Sequence, residues 1–277
     1  MEKKKLNILT LLIILLVVAL AIASYFGAFV EGTYDSDTAS MAAQGMGQDM
    51  VDLFLVVPLL IISLILVHRN VKAGWFLLTG SVFYTLYSFF IYAFGVYFNQ
   101  LFLLYCIIIG LALYTFIFIL YEMNRMDIQG WFSDNVPDRL IGYYFILVAV
   151  VFYALWLKDT LPAVLNDTVP ASVSDYELLV NPVHVLDIGI VLPGLIITAV
   201  MLMKNLRLGY ILTPTLLVFI ILLAIALIGM TLMLQVKEIS DETSVAGIFA
   251  VMAVISIGFL LMFLSKMEGE EDEEEEE

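Results

Sequence analysis

Charge-free apolar runs constrain this chain more than any other feature. Residues 6–30, 73–121, 140–157, 208–236 and 245–265 contain no Asp, Glu, Lys or Arg. A bilayer is crossed by about 20 apolar helical residues, so four of these runs suit one crossing each and residues 73–121 suit two. Two shorter runs, 53–67 and 188–203, are bounded by Asp52 and Asp187 and complete a set of eight candidate spans. With 62% hydrophobic residues and only 14% charged, a soluble fold would have too little polar surface to cover its core. The expected fold class is an all-α integral membrane protein of about eight transmembrane helices, with the lipid bilayer as its first partner.

The charges set an orientation. Eight spans place alternate loops on one side. That side collects Lys3, Lys4, Lys5, Arg69, Lys72, Arg125, Arg139, Lys204, Arg207 and Lys266, against Lys158 and Lys237 on the other. The positive-inside rule then predicts a cell-membrane protein with both termini cytoplasmic. A cleaved signal peptide at the start fits less well, because the first apolar run is longer than a signal core. Most of the net charge of −15 comes from the final "EGEEDEEEEE", read as a disordered acidic tail. Nothing in the chain is basic enough to bind nucleic acid. The single cysteine, Cys106, excludes a disulfide within the chain.

A shift of 135 residues lays "DMVDLFLVVPLLIISLILVHRNVKAGW" over "HVLDIGIVLPGLIITAVMLMKNLRLGY" with eight identities in 27 positions. Leu and Ile matches carry little weight between lipid-facing helices. Asp52 on Asp187, Pro58 on Pro193, Asn70 on Asn205 and Gly74 on Gly209 carry more. The expectation is two parallel four-helix repeats, residues 1–121 and 139–266. Between them lies a cytoplasmic linker, 122–138, and the tail occupies 267–277. Parallel repeats of this kind often bind a substrate where they meet.

Carboxylates inside a membrane are costly and usually face a bundle interior or a water-filled cavity. Counting back from Val67, Asp52 lies roughly 22 Å up the helix, a little below the outer surface of a ~30 Å hydrocarbon slab. Asp187 takes the same level. The plainer reading makes both of them interfacial helix caps. Pro58 and Pro193 each remove a backbone donor six residues later, which favours a kink. Gln44, Gln48 and Asp52 are spaced to share one helix face, as are His184 and Asp187. The candidate ligand or cation site is therefore Asp49, Asp52, His184, Asp187, Gln44 and Gln48. If Asp49, Asp52, His184 and Asp187 converge, they suit a divalent cation or a proton-coupled pair.

In "EGTYDSDTASMAAQGMGQD", Ser36 and Asp37 are candidate N-caps for a helix beginning near Thr38. Glu31 and Tyr34 are placed to fold back over the mouth of the site. Tyr84, Tyr87, Phe90 and Phe94 line one face of an aromatic-rich third span, where packing explains most tyrosines.

Through "YDSDTASMAAQGMGQDMVDL", "HVLDIGIVLPG" and "GYILTPTLLV" the chain resembles a family of uncharacterised prokaryotic polytopic membrane proteins. The resemblance implies this general build and brings no activity, cofactor or catalytic residue with it. Three functions fit the sequence. One is transport or binding of a small solute or cation at an outer-leaflet site between the repeats. Another is a membrane-embedded enzyme using a divalent metal at the outer face. The last is a non-catalytic assembly or sensory subunit whose protein partner the sequence does not identify.

Overall fold

In a computed structural model of the chain, residues 2–133, 135–241 and 243–267 are described. The acidic tail, apart from Met267, lies outside the described residues. Among the described residues, eight helices are long and apolar enough to cross a membrane: α1 (Lys3–Phe29), α2 (Ala39–His68), α3 (Lys72–Gly95), α4 (Phe102–Met123), α5 (Asp138–Leu165), α6 (Pro182–Met203), α7 (Arg207–Val236) and α8 (Thr243–Leu264). They run 22 to 30 residues each, enough to cross a ~30 Å hydrocarbon layer at ~1.5 Å per residue. One end of the bundle carries Lys3–Lys5, Arg69 and Arg207 and is called the basic end; the other is the opposite end.

The spans are not equally enclosed. Of an apolar 18-residue stretch in each helix, 72% is buried in α3 and 56% in α7, against 22–39% in the other six. The two enclosed helices pack against each other, with α2 also against α7. Large apolar side chains such as Leu11, Phe54, Leu147 and Val251 stay exposed around the periphery. That surface is unfavourable in water and suits hydrocarbon.

Several buried hydroxyls within the bundle are satisfied locally. Thr79, Ser81, Thr85, Thr215 and Thr231 each donate a hydroxyl to the carbonyl four residues earlier. A buried hydroxyl in a water-free interior is thereby paired without distant partners. At the basic end Lys5 meets Glu122, near the end of α4, at 2.9 Å.

Helices α2 and α6 share an unusual interruption. Each passes through one π-helical turn, Asp52–Val56 in α2 and Asp187–Val191 in α6. The amide of Val57 reaches back to the Asp52 carbonyl, and that of Leu192 to the Asp187 carbonyl, one residue further than in an α-helix. Pro58 and Pro193 come next in the chain. A proline ring collides with the carbonyl four residues earlier and offers no N–H. The wider π turn moves that carbonyl aside, so the helix continues through the proline.

Both helices also end alike. Asn70 and Asn205 take left-handed backbone angles, φ 58° and 54°, a conformation asparagine tolerates better than most residues. One turn into the next helix, a Cβ on Gly74 would lie 2.7 Å from Leu66 Cβ, and one on Gly209 2.5 Å from the Leu202 nitrogen. Only glycine fits that close a return.

The linker between α4 and α5 folds under the basic end. Phe132 contacts the rings of Phe76, Tyr210 and Phe263, and Trp131 also packs on Phe76. Gln129 Nε2 donates to the Asn205 carbonyl at 2.6 Å, and the Ser133 amide donates to the Lys266 carbonyl at 2.9 Å.

The closest helix crossing joins α2 to α7. A Cβ at Gly47 would fall 2.4 Å from the Gly229 carbonyl oxygen. Because that atom belongs to the backbone, Gly47→Ala should force the helices apart and cost about 1–3 kcal/mol. Unfolding in mixed micelles measures this. Gly110→Ala, where a Cβ meets nothing within 4 Å, should leave stability nearly unchanged.

Candidate functional site

The N-cap of α2 is Thr38, whose side chain accepts from the Met41 amide at 3.2 Å. Ser36 and Asp37, the caps expected from sequence, do not fill that role. Asp37 Oδ1 instead accepts the Tyr97 amide at 2.8 Å, tying the loop after α1 to the end of α3. Helix α2 then runs continuously to the π turn, which delivers Gln48, Asp49 and Asp52 to the interior, all buried.

The carboxylates are held by phenol hydroxyls. Tyr34, from the loop, donates to Asp49 Oδ2 at 2.5 Å. Tyr84 of α3 donates to Asp52 Oδ1 at 2.8 Å. Asp52 is completely buried, and its Oδ2 has no hydrogen-bond partner. Neither aspartate is paired with Lys, Arg or His among the described residues. Tyr92 closes the same region by donating to the Gly45 carbonyl at 3.2 Å. Burial, followed by the adjacent Asp49 charge, pushes the Tyr34 hydroxyl well above its ordinary titration range. It therefore remains a donor at any physiological pH.

Asp187 is buried one helix away and better satisfied. Tyr87 of α3 donates to its Oδ1 at 2.9 Å, and Trp156 Nε1 of α5 donates to its Oδ2 at 2.9 Å. The Trp156 ring also lies against His184, with centroids 4.5 Å apart. Tyr84 and Tyr87, three residues apart on α3, thus hold Asp52 and Asp187 against one central helix.

The six residues singled out from sequence are distributed rather than gathered. Asp49, Asp52 and Gln48 occupy one buried region, while His184 and Asp187 are held by Trp156 in another. Gln44 is only partly buried and donates to Ser40. Among the described residues, no group of three or more His, Cys, Asp or Glu side chains is placed to hold a metal ion. Of the two residues expected at the mouth, Tyr34 does fold over it, whereas Glu31 stays exposed.

Sequence reasoning missed Tyr84, Tyr87 and Trp156 as partners of the acids. The available signal was a donor requirement. A buried carboxylate with no nearby cation needs hydroxyl or indole donors, and Tyr84 and Tyr87 stand three apart in the same half of a span.

These features define a multi-pass helical membrane protein with carboxylates buried in its bundle. No protein-family model, no curated protein and no solved structure matches the chain.

This geometry makes two outcomes testable. Tyr84→Phe removes the phenol donor to Asp52 and should destabilise the fold by about 1–3 kcal/mol, measured by melting in detergent. Tyr97→Phe, at a 64% exposed position, should change little. At the loop, half-burial raises the Asp37 carboxyl above its ordinary range, partly offset by the Tyr97 amide, and its Oδ2 is unpaired. A raised carboxyl favours the folded state when protonated and disfavours it once ionised. Asp37→Asn should therefore raise the melting temperature at pH 7, with the gain shrinking as pH falls through the raised folded-state range and gone below about 4, the unfolded value.

Proposed function

We propose that this protein binds and moves a proton or a monovalent cation at a site in the outer leaflet, built on Asp49 and Asp52. The carrying observation is the unpaired oxygen of a fully buried Asp52, with a second buried carboxylate one turn away and no basic partner for either among the described residues. Two carboxylates that close in a low-dielectric interior repel each other and lose their hydration. A proton or small cation bound between them removes both penalties. Pro58 removes the amide that would have paired one carbonyl of the π turn, which adds a backbone acceptor close to the acids. A divalent metal ion fits less well, since among the described residues no third acidic, histidine or cysteine side chain joins the pair.

On this reading the basic end faces the cytoplasm and the Tyr34 loop lies outside. The two halves descend from a duplication. Supporting that are the π turns beginning at Asp52 and Asp187, the prolines after them, and the left-handed asparagines with their following glycines, all 135 residues apart. The α3 tyrosines connect the halves. Asp52 is the ion-exchanging residue because it has an open oxygen. Asp187, with both oxygens paired, acts mainly in fixing α6 and α5 against α3.

Proteoliposomes containing a pH-sensitive dye, challenged with sodium, potassium or proton gradients, test this. The parent protein should dissipate or couple one of these gradients, and Asp52→Asn should abolish it. Asp187→Asn should lower the melting temperature more than it changes ion dependence. Gradients and ion-dependent melting that are identical in parent and Asp49→Asn/Asp52→Asn protein would refute the proposal.

A further inference from the structure

A cavity of about 510 Å³ opens at the opposite end, between the end of α5, the loop after it and the start of α6. That volume lies in the range of small-ligand sites, about 300–1,000 Å³. Its walls are largely aliphatic, with Val164 and Val169 on one side and Val185 and Ile188 on the other. Thr160 and Thr168 also line it, but their hydroxyls are spent on backbone carbonyls. Asn181 is likewise committed, accepting from Val183 and donating to Ser172.

His184 is the exception. It lines the cavity and is 6% exposed, and its imidazole has a ring contact with Trp156 but no hydrogen bond among the described residues. Its ring nitrogens are not sealed from the cavity, so a donor or acceptor entering it can pair with them.

The loop over the cavity points to the occupant. Val169, Leu179 and Val180 are 66%, 100% and 59% exposed, an unusual display for a loop in water. They continue the apolar perimeter formed by Val164 and Val185 at the ends of α5 and α6, which are 77% and 57% exposed. Hydrocarbon satisfies that whole surface.

Gly189 explains why the cavity exists in one half of the chain. It lies in the π turn of α6 and lines the cavity, and a Cβ there would meet nothing within 4 Å. The position 135 residues earlier is Phe54, whose ring projects outward and packs edge-on against Phe29. Where α2 carries an aromatic ring, α6 leaves open space.

We infer that this cavity binds a membrane lipid or lipid-like amphiphile, with its chain against the aliphatic walls and a hydrogen-bonding, uncharged head group at the His184 imidazole. A carboxylate head is disfavoured, because Asp159 and Asp187 already place acidic groups around His184 and Trp156. Binding there is independent of any ion at Asp52.

Trp156 offers a local reporter. The other two tryptophans, Trp75 and Trp131, lie at the basic end. Trp75→Phe/Trp131→Phe protein in phosphatidylcholine nanodiscs would be titrated with a bromine-labelled monoacylglycerol. The expected result is saturable quenching at low mole fraction that unlabelled monoacylglycerol reverses. Gly189→Phe, which refills the space with the residue found in α2, should weaken binding at least about tenfold. His184→Leu should weaken it several-fold. Native mass spectrometry of the full chain with unaltered tryptophans, using the same probe, should show a retained adduct that Gly189→Phe loses. Quenching proportional to probe concentration and equal in parent and Gly189→Phe protein would mean ordinary lipid contact only, and would overturn the inference. So would the absence of a retained adduct. If Gly189→Phe protein does not fold, Gly189→Leu and His184→Leu decide the question.

Discussion

Buried carboxylates with no basic partner among the described residues are the constraint around which this structure is arranged. Each buried charge costs several kcal/mol unless donors or a counter-ion compensate it. Asp49, Asp52 and Asp187 are all buried, and the donors that hold them come from tyrosines and a tryptophan. Helix α3 contributes two of the hydroxyls and is the most enclosed span. The same requirement draws Tyr34 down from the loop and Trp156 inward from α5. What looks like an aromatic-rich core is, at these positions, a set of hydrogen-bond donors carried on apolar rings.

The π turns and the prolines belong to the same solution. A continuous α-helix through Pro58 would lose an amide donor and collide with its own carbonyl. One π turn relieves the collision and inserts an extra residue. Upstream side chains are rotated relative to those downstream, so Asp52 faces Tyr84 while Leu60 and Leu64 stay in the apolar core. The proline and aspartate are thus mechanically linked in each helix. The first makes the wide turn favourable, and the second starts it.

Much of the fold was legible because hydrocarbon imposes a simple rule. Backbone groups must pair within the segment, so long charge-free runs become helices, and all eight spans correspond to helices in the structure. The paired Asp and Pro positions were legible too, since such residues are scarce in lipid-facing sequence. The π turns were not, because an i to i−5 bond leaves no mark on composition. Helix capping was legible only approximately. Ser36, Asp37 and Thr38 are all good caps, and the Tyr97 amide, distant in sequence, engages Asp37 and leaves Thr38 to cap the helix. The convergence of Asp49, Asp52, His184 and Asp187 was inferred from symmetry alone, and side-chain partners on α3 and α5 decide where each group goes.

Helices α2 and α6 differ in what stands beside each aspartate. At the position of His184, α2 has Asp49, and at that of Gly189 it has Phe54. In the first half a loop tyrosine covers two buried acids, one of which keeps an open oxygen, while the Phe54 ring projects outward against Phe29. In the second half indole and phenol saturate the acid, and the missing ring leaves an apolar opening beside an unpaired imidazole. The closed acidic region is the one proposed to hold an ion, and the open apolar one is the one inferred to take an amphiphile. Tyr84 and Tyr87 are less than one turn apart on α3, yet each hydroxyl is committed to a different aspartate, so one enclosed helix serves both regions with separate donors.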